Sequence, residues 1–183
     1  YWFEALAGVP CQVEIASEFR YRDSVVPADA LLVAISQSGE TADTLEALRE
    51  ARRRGYAHTL AICNVPESSL TREADLKLMT HAGPEIGVAS TKAFTTQLTA
   101  LMLLVVALGR RHGLDAAAEA DLVDELRRLP AAVQGTLVLD PPIAALAPGF
   151  SDKHHALFLG RGVQFPVALE GALNLKEIGR AHV

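Results

Sequence analysis

The spacing of hydrophobic and polar positions in the first part of the chain predicts short strands alternating with helices. Apolar runs at residues 31–35, 59–63 and 76–80 have the length of buried parallel strands. Residues 11–16, with the sequence CQVEIA, are a further strand candidate. Apolar residues at helical spacing predict a helix at 41–54 and, less clearly, another at 69–75. This alternation predicts an α/β fold in which helices cover a parallel sheet.

The second part of the chain is predicted to be helical before a new α/β unit begins. A long helix is expected from about residue 90 to 112, and its apolar part, residues 98–109, is about half as long as a membrane helix requires. We therefore expect it to be a core helix. An amphipathic helix follows at 116–129, and the three prolines and one glycine of residues 140–149 break the pattern. A strand at 155–160 and a helix at 165–179 then resemble the start of a second unit.

The junction between the first long apolar run and its helix has the sequence SQSGET, residues 36–41. A turn from a strand into a helix presents backbone N–H groups and the positive end of a helix dipole. The hydroxyls of Ser36, Ser38 and Thr41 add side-chain donors, and Gly39 lets the backbone approach a ligand closely. The turn is therefore suited to bind an anion such as a sugar phosphate. The alternative is that Ser38 or Thr41 simply caps the helix, and this stretch alone does not distinguish the two.

Composition and charge narrow the possible functions. The 183 residues are 50% hydrophobic and 21% charged, which is typical of a globular protein with at least one sizeable core. A net charge of −5 argues against a nucleic-acid-binding surface, and we interpret Arg52–Arg54 as the solvated end of a helix. Cys11 and Cys63 lie in apolar, strand-like surroundings without metal-type spacing. They are predicted to be buried free thiols in a reducing cytoplasm.

Several common motifs are disfavoured. Lys92 does not follow a glycine at the spacing of a phosphate-binding loop for nucleoside triphosphates. The sequence GRG at 160–162 lacks the third glycine of a dinucleotide fingerprint, and Ser38 is not in a G-x-S-x-G elbow. His154 and His155 are adjacent and would point to opposite faces of a strand, which disfavours a metal site. We expect neither a metal nor a cofactor.

Four segments carry a resemblance to a known family: SQSGETADTL, AICNVPESSLTREAD, EIGVASTKAFTTQL and RGVQFPVALEGALNLKEI. Together they resemble the isomerase half of the glutamine:fructose-6-phosphate aminotransferases, also called glucosamine-6-phosphate synthases. This half contains two sugar isomerase (SIS) domains, each a three-layer α/β/α unit. The resemblance implies a first SIS domain at residues 1–115, a helical connection at 116–146 and the beginning of a second SIS domain at 147–183.

The resemblance also implies which residues bind the ligand. Four residues match the family's sugar-phosphate cradle: Ser36, Gln37, Ser38 and Thr41. Val88 and Ser90 match residues that contact the sugar. We expect Ser90 to begin a helix, so that its hydroxyl and the helix N-terminus face the same crevice.

The implied chemistry is transfer of glutamine-derived ammonia to fructose 6-phosphate, followed by isomerisation to glucosamine 6-phosphate. Glu177 matches the family's proton-transfer glutamate, for which a partly dry crevice would raise the pKa. The alternative is a surface carboxylate on a helix. Asn174 stands where the family commonly has a lysine, and its spacing to Glu170 and Glu177 predicts one shared helix face. Loss of that cation is expected to weaken isomerisation or raise its pH optimum, with Lys176 compensating only in part.

The same resemblance implies that further parts of the enzyme lie outside the chain. These are the first strand of the first SIS domain, a glutaminase domain, a ring-opening histidine distinct from His182, and a C-terminal lysine. We expect a cytoplasmic homodimer with no nucleic-acid or membrane partner, and a chain that alone binds better than it catalyses. Two alternatives are another SIS phosphosugar isomerase or deaminase and a sugar-phosphate-sensing regulatory module. The second would carry a helix-turn-helix, which the sequence lacks.

Overall fold

The centre of the molecule is a parallel sheet of three strands. The computed structural model describes residues 1–87 and 89–180. Its strands are β1 Leu31–Ser36, β2 His58–Cys63 and β3 Leu76–Met79, in the spatial order β1-β2-β3. The register pairs Leu31 with His58 and Leu60 with Leu76. The three long apolar runs therefore form the predicted parallel strands, and their carboxyl ends meet at one edge of the sheet.

Helices precede, connect and follow these strands. Their bounds are α1 Trp2–Ala7, α2 Ala16–Phe19, α3 Ala42–Arg53, α4 Ser69–Glu73, α5 Lys92–Gly109, α6 Ala116–Thr136, α7 Asp140–Leu146 and α8 Phe165–Arg180. Short 3₁₀ turns occupy Leu137–Leu139, Ala147–Phe150 and Gly162–Gln164. The helices predicted from periodicity in both parts of the chain are therefore present.

The core lies on both faces of the sheet. Ala34 of β1 and Ala61 of β2 pack with Leu48 of α3 and Leu70 of α4, and all four residues are buried. Because side chains alternate along a strand, Leu60 and Ile62 point to the opposite face, and α5 contacts β2. This arrangement gives the helix–sheet–helix layering expected from the sequence. The packing of α3 and α4 fixes the turns that lead into them.

Helix α5 packs as a core helix against α1. Its buried residues are Ala93, Ala100, Val105, Val106 and Gly109, and it contacts α1, β2 and α6. By length and composition alone, α5 and the helical run Ala116–Phe150 could each cross a membrane, a test that core helices also pass. None of the described residues after Gly109 is buried.

Two predicted strands are wrong. Residues 11–15 are irregular, and Val13 and Ile15 are 87% and 71% exposed. Residues 155–160 are irregular as well, with Leu157 88% exposed. A strand is stable only when a neighbour completes its hydrogen bonds, and no described residue provides a neighbouring strand for either segment.

The proline-rich segment and one cysteine also differ from expectation. Residues 140–149 continue as α7 and a 3₁₀ turn instead of breaking the helical pattern. Pro141 and Pro142 lie in the first turn of α7, where a missing N–H removes no intrahelical hydrogen bond. Cys63 is buried as predicted, but Cys11 is exposed because its segment does not join the sheet.

Candidate functional site

The turn between β1 and α3, residues 36–41, folds around its own hydroxyl groups. The Gly39 backbone N–H donates to Ser36 Oγ over 3.0 Å, and the Glu40 N–H donates to Ser38 Oγ over 3.2 Å. Ser36 Oγ lies 3.4 Å from Thr41 Oγ1. A serine oxygen that accepts a backbone N–H keeps its own O–H for another partner. The turn therefore holds its hydroxyls in place while leaving donors for a ligand. We call residues 36–41 the cradle turn.

The cradle turn leads into a helix whose N-terminus has no side-chain cap. Thr41 occupies the N-cap position of α3 and makes no capping hydrogen bond, and Ser38 bonds within the turn. In α4, by contrast, the hydroxyl of the N-cap Ser68 accepts from the Thr71 N–H. N–H groups in the first turn of a helix have no intrahelical acceptor. The capping interpretation of Ser38 and Thr41 is therefore wrong, and the positive end of α3 can receive an anion.

Gly39 is the residue that fits the turn closely onto the loop after β2. Its φ of +69° lies in the left-handed region, and an added Cβ would lie 2.1 Å from Ser68 Oγ and 2.9 Å from Cys63 Sγ. The Leu70 N–H donates to the Gly39 carbonyl over 3.0 Å. Only glycine satisfies both the backbone angle and the close approach. The shape of the turn is thus set by packing in the protein itself.

Glu40 fastens the same turn to α4. Its Oε1 accepts the Ser69 backbone N–H over 2.8 Å. That hydrogen bond is the main cause that lowers the pKa of Glu40, and the positive charge of Arg72 lowers it further. Glu40 is therefore ionised at neutral pH, with one carboxylate oxygen engaged at the N-terminus of α4.

Asn64 joins the cradle turn to the loop that follows β3. Its backbone N–H donates to the Gln37 carbonyl over 3.2 Å. Its side chain donates to the Gly83 carbonyl over 2.7 Å and accepts from the Ala82 N–H over 2.8 Å and from the Thr80 hydroxyl over 3.1 Å. Sequence reasoning missed this role. The available signal was a polar amide directly after a buried strand, at the edge where parallel strands end.

The N-terminus of α5 differs from expectation. The helix begins at Lys92 with Thr91 at the N-cap, so Ser90 lies before it. Glu85 Oε1 accepts from the Thr91 hydroxyl over 2.7 Å, and Oε2 accepts the Ala93 N–H over 2.9 Å. These bonds, with that of the Thr91 hydroxyl the largest cause, lower the pKa of Glu85. The prediction that Ser90 begins the helix is wrong, and one N–H of the first turn of α5 is already bound by a carboxylate of the protein.

The remaining predicted residues are distributed as follows. Ser90 is half-buried and belongs to the same loop after β3, whereas Val88 lies outside the described residues. On α8, Asn174 Nδ2 donates to Glu170 Oε1 over 3.2 Å, as their predicted shared face requires. Asn174 Oδ1 is buried without a hydrogen-bond partner.

Glu177 is partly exposed one turn further along α8, and Lys176 is exposed. Among the hydrogen bonds of the described residues, none connects α8 to the cradle turn. The described part of the chain contains no group of three or more histidine, cysteine or acidic side chains that could hold a metal ion. His182 lies outside the described residues.

Comparison with known proteins places these features in a family. The SIS domain model matches residues 1–107. The chain is 65% identical over 182 residues to the glutamine–fructose-6-phosphate aminotransferase (isomerizing) of Yersinia pseudotuberculosis, and 64% identical over 183 residues to that of Pseudomonas putida. Each match covers the whole chain, but the chain spans only 30% of the length of these relatives. The resemblance seen in the four sequence motifs is confirmed.

A solved structure agrees with the fold over nearly the whole chain. The C-terminal domain of glucosamine-fructose-6-phosphate aminotransferase from Francisella tularensis has a TM-score of 0.94 and 54% sequence identity. The match covers 97% of this chain and 50% of that one. The irregular segments at 11–15 and 155–160 therefore occur within a chain whose overall architecture matches an experimental structure.

Proposed function

Since the chain belongs to the SIS domain family, we propose that it is the sugar-phosphate-binding region of an enzyme that makes glucosamine 6-phosphate. The complete enzyme would use fructose 6-phosphate and glutamine and would release glutamate as the second product. The names of the relatives with 64–65% identity support this reaction. The observation that carries the proposal is the uncapped N-terminus of α3 beneath a turn of hydroxyl side chains.

The cradle turn would bind the phosphate through neutral donors. Ser36 and Thr41 share one hydrogen bond, so one of these two hydroxyls can donate to the ligand, as can Ser38. Gln37, which is half-buried, carries two amide N–H donors. The helix dipole of α3 adds a favourable field at the same point. Phosphate oxygens accept several hydrogen bonds at once, so a turn with converging donors suits them without a lysine. In this proposal Ser90 and Val88 contact the sugar part of the ligand.

The isomerisation would use a carboxylate on α8. Conversion of a ketose to an aldose moves a proton between C2 and C1, and a glutamate within reach of both carbons can carry it. We assign this proton transfer to Glu177. Asn174 and Glu170 share its helix face and are already hydrogen-bonded to each other. Asn174 supplies no positive charge beside Glu177, and Lys176 would compensate for it only in part.

The complete protein would divide the work between domains. Residues 1–115 would form the first SIS domain, 116–146 a helical connection and 147–183 the beginning of a second SIS domain. The buried hydrophobic residues of the described chain fall between Ala7 and Val106, which supports the first of these boundaries. A glutaminase domain would deliver ammonia, and the enzyme would act in the cytoplasm as a homodimer.

Calorimetric titration of the complete gene product tests the phosphate assignment. We expect binding of fructose 6-phosphate and glucosamine 6-phosphate but not of free fructose. Ser38→Ala should weaken both phosphosugars, because it removes a donor and loosens the turn. The matched control is Ser151→Ala, since the Ser151 hydroxyl bonds only to the Pro148 carbonyl on an exposed 3₁₀ turn. A protein that binds phosphosugars equally well after Ser38→Ala would contradict the assignment.

A further inference from the structure

The loop between β3 and α5 is fixed at both of its ends by side chains outside the proposed substrate contacts. Asn64 holds its beginning through Thr80, Ala82 and Gly83. Glu85 holds its end through Thr91 and Ala93. Ser90, the proposed sugar contact, lies directly before Thr91. Glu85 therefore fixes the backbone directly after Ser90, at the start of α5.

We propose that Glu85 is a positioning residue, which keeps Ser90 where it can contact the sugar while the cradle turn binds the phosphate. This inference rests on the proposed function, because it assumes that Ser90 contacts a phosphosugar. Glu85 itself does not need to touch the ligand. It acts through the hydroxyl and backbone N–H of Thr91 and the N–H of Ala93, at 2.7, 3.4 and 2.9 Å.

A carboxylate is suited to this task because both of its oxygens accept. Glu85 Oε1 receives two donors from Thr91, and Oε2 receives the N–H of Ala93, so the side chain spans the first turn of α5. If glutamine replaced Glu85, one of the two accepting oxygens would become an NH₂ group, which donates and would face the N–H or O–H donor that the oxygen now accepts from. Hydrogen bonds to an ionised group are also shorter and stronger than neutral ones. Glutamine would therefore hold the loop less well than glutamate, despite its equal size.

Different residues hold the two regions that are proposed to bind the sugar and the phosphate of the ligand. Glu85 makes no hydrogen bond to residues 36–41 within the described part of the chain. The cradle turn is held instead by hydrogen bonds from the backbone N–H groups of Asn64, Ser69 and Leu70. Loss of the Glu85 carboxylate should displace Ser90 and leave the cradle turn, the proposed phosphate site, unchanged. The affinity for a phosphosugar should fall while the affinity for inorganic phosphate stays the same.

The experiment compares these two affinities in the complete gene product. Glucosamine 6-phosphate is titrated directly, and inorganic phosphate is measured as its competitor. We expect Glu85→Ala to weaken the binding of glucosamine 6-phosphate about tenfold, and Glu85→Gln to weaken it somewhat less. The dissociation constant for inorganic phosphate should stay within about twofold of wild type. Thermal unfolding of each variant shows whether it is folded.

Two threonine variants provide a matched pair that does not alter the carboxylate. Thr91→Val removes the hydroxyl that donates to Glu85 and should weaken glucosamine 6-phosphate about threefold. Thr95→Val is the control, because this exposed hydroxyl, one turn further along, donates to the Lys92 carbonyl. It should leave both affinities unchanged.

Two results would overturn the positioning role alone: wild-type affinity for glucosamine 6-phosphate in Glu85→Ala and Thr91→Val, or an equal loss of both ligands in these variants. The second result would mean that Glu85 only stabilises the fold. A wild-type protein that binds neither ligand would overturn the proposed function and this inference with it.

Discussion

Replacement of Gly39 by alanine introduces a methyl group where the cradle turn packs against the loop after β2. The new Cβ would lie 2.1 Å from Ser68 Oγ and 2.9 Å from Cys63 Sγ. Ordinary van der Waals contact begins at 3.4 Å, so the turn or Ser68 must move by about 1.3 Å. Ser68 has little freedom to move, because it is 3% exposed and caps α4.

The cost has two parts. Alanine at a φ of +69° is less favourable than glycine by about 1 kcal/mol. Overpacking against buried atoms adds about 2 kcal/mol. We therefore expect Gly39→Ala to lower the free energy of unfolding by about 3 kcal/mol. Displacement of the turn by about 1 Å also misaligns its donors, and phosphosugar affinity should fall at least tenfold, by about 1.4 kcal/mol or more.

Gly55→Ala separates the cost of the backbone angle from the cost of overpacking. Gly55 follows α3 at its far end with a φ of +88°, and an added Cβ would meet nothing within 4 Å. This variant should lose about 1 kcal/mol of stability and keep its affinity for glucosamine 6-phosphate. Urea unfolding and calorimetric titration of both variants provide the comparison. Equal losses of stability in the two variants, with unchanged binding, would refute the claim that close packing shapes the cradle turn.

Three further substitutions test other parts of the site. Asn64→Ala removes three side-chain hydrogen bonds and should lower the free energy of unfolding in urea by about 2 kcal/mol. It should also weaken the binding of glucosamine 6-phosphate. Unchanged binding would show that the cradle turn and the loop after β3 are positioned independently. Because the pKa of Glu40 is lowered on folding, its stabilising effect is complete above its ordinary value of 4.5 and is lost as the pH falls through the lowered value. The difference in melting temperature between wild type and Glu40→Gln should therefore shrink below pH 4.5, and a constant difference would contradict the bond to Ser69. Asn174→Lys should raise turnover of the complete enzyme, because it places a cation near Glu177. An unchanged turnover and pH–rate profile would count against the proton transfer assigned to Glu177 and against the influence of residue 174 on it.

Local signals were sufficient for the sheet and the cradle turn. The apolar run at 31–35 is long and continuous enough to predict a strand, and the polar residues after it predict a turn at its carboxyl end. Residues 11–15 carried a comparable local signal and form no strand. Whether an extended segment joins a sheet depends on a neighbouring strand, which is not encoded in the segment itself.

The parts of the site that sequence reasoning missed depend on contacts between separate loops. Asn64 lies 19 positions before Gly83, and Glu40 lies 29 positions before Ser69. These pairs meet because three parallel strands end at one edge, which brings their following loops together. Glu85 is closer in sequence to its partners, but its role depends on α5 beginning at Lys92. Helix boundaries are the least certain result of pattern analysis.

Each strand of the sheet leads towards a helix, and among the described residues only α3 of these three helices has no side-chain acceptor at its N-terminus. The hydroxyl of Ser68 accepts one N–H of the first turn of α4, and the carboxylate of Glu85 accepts one of the first turn of α5. In the proposed function, the charged end of a phosphorylated six-carbon ligand would bind at α3. That preference would fix the orientation of the ligand, so the site would reject a ligand bound end-for-end before any contact with the sugar hydroxyls is made.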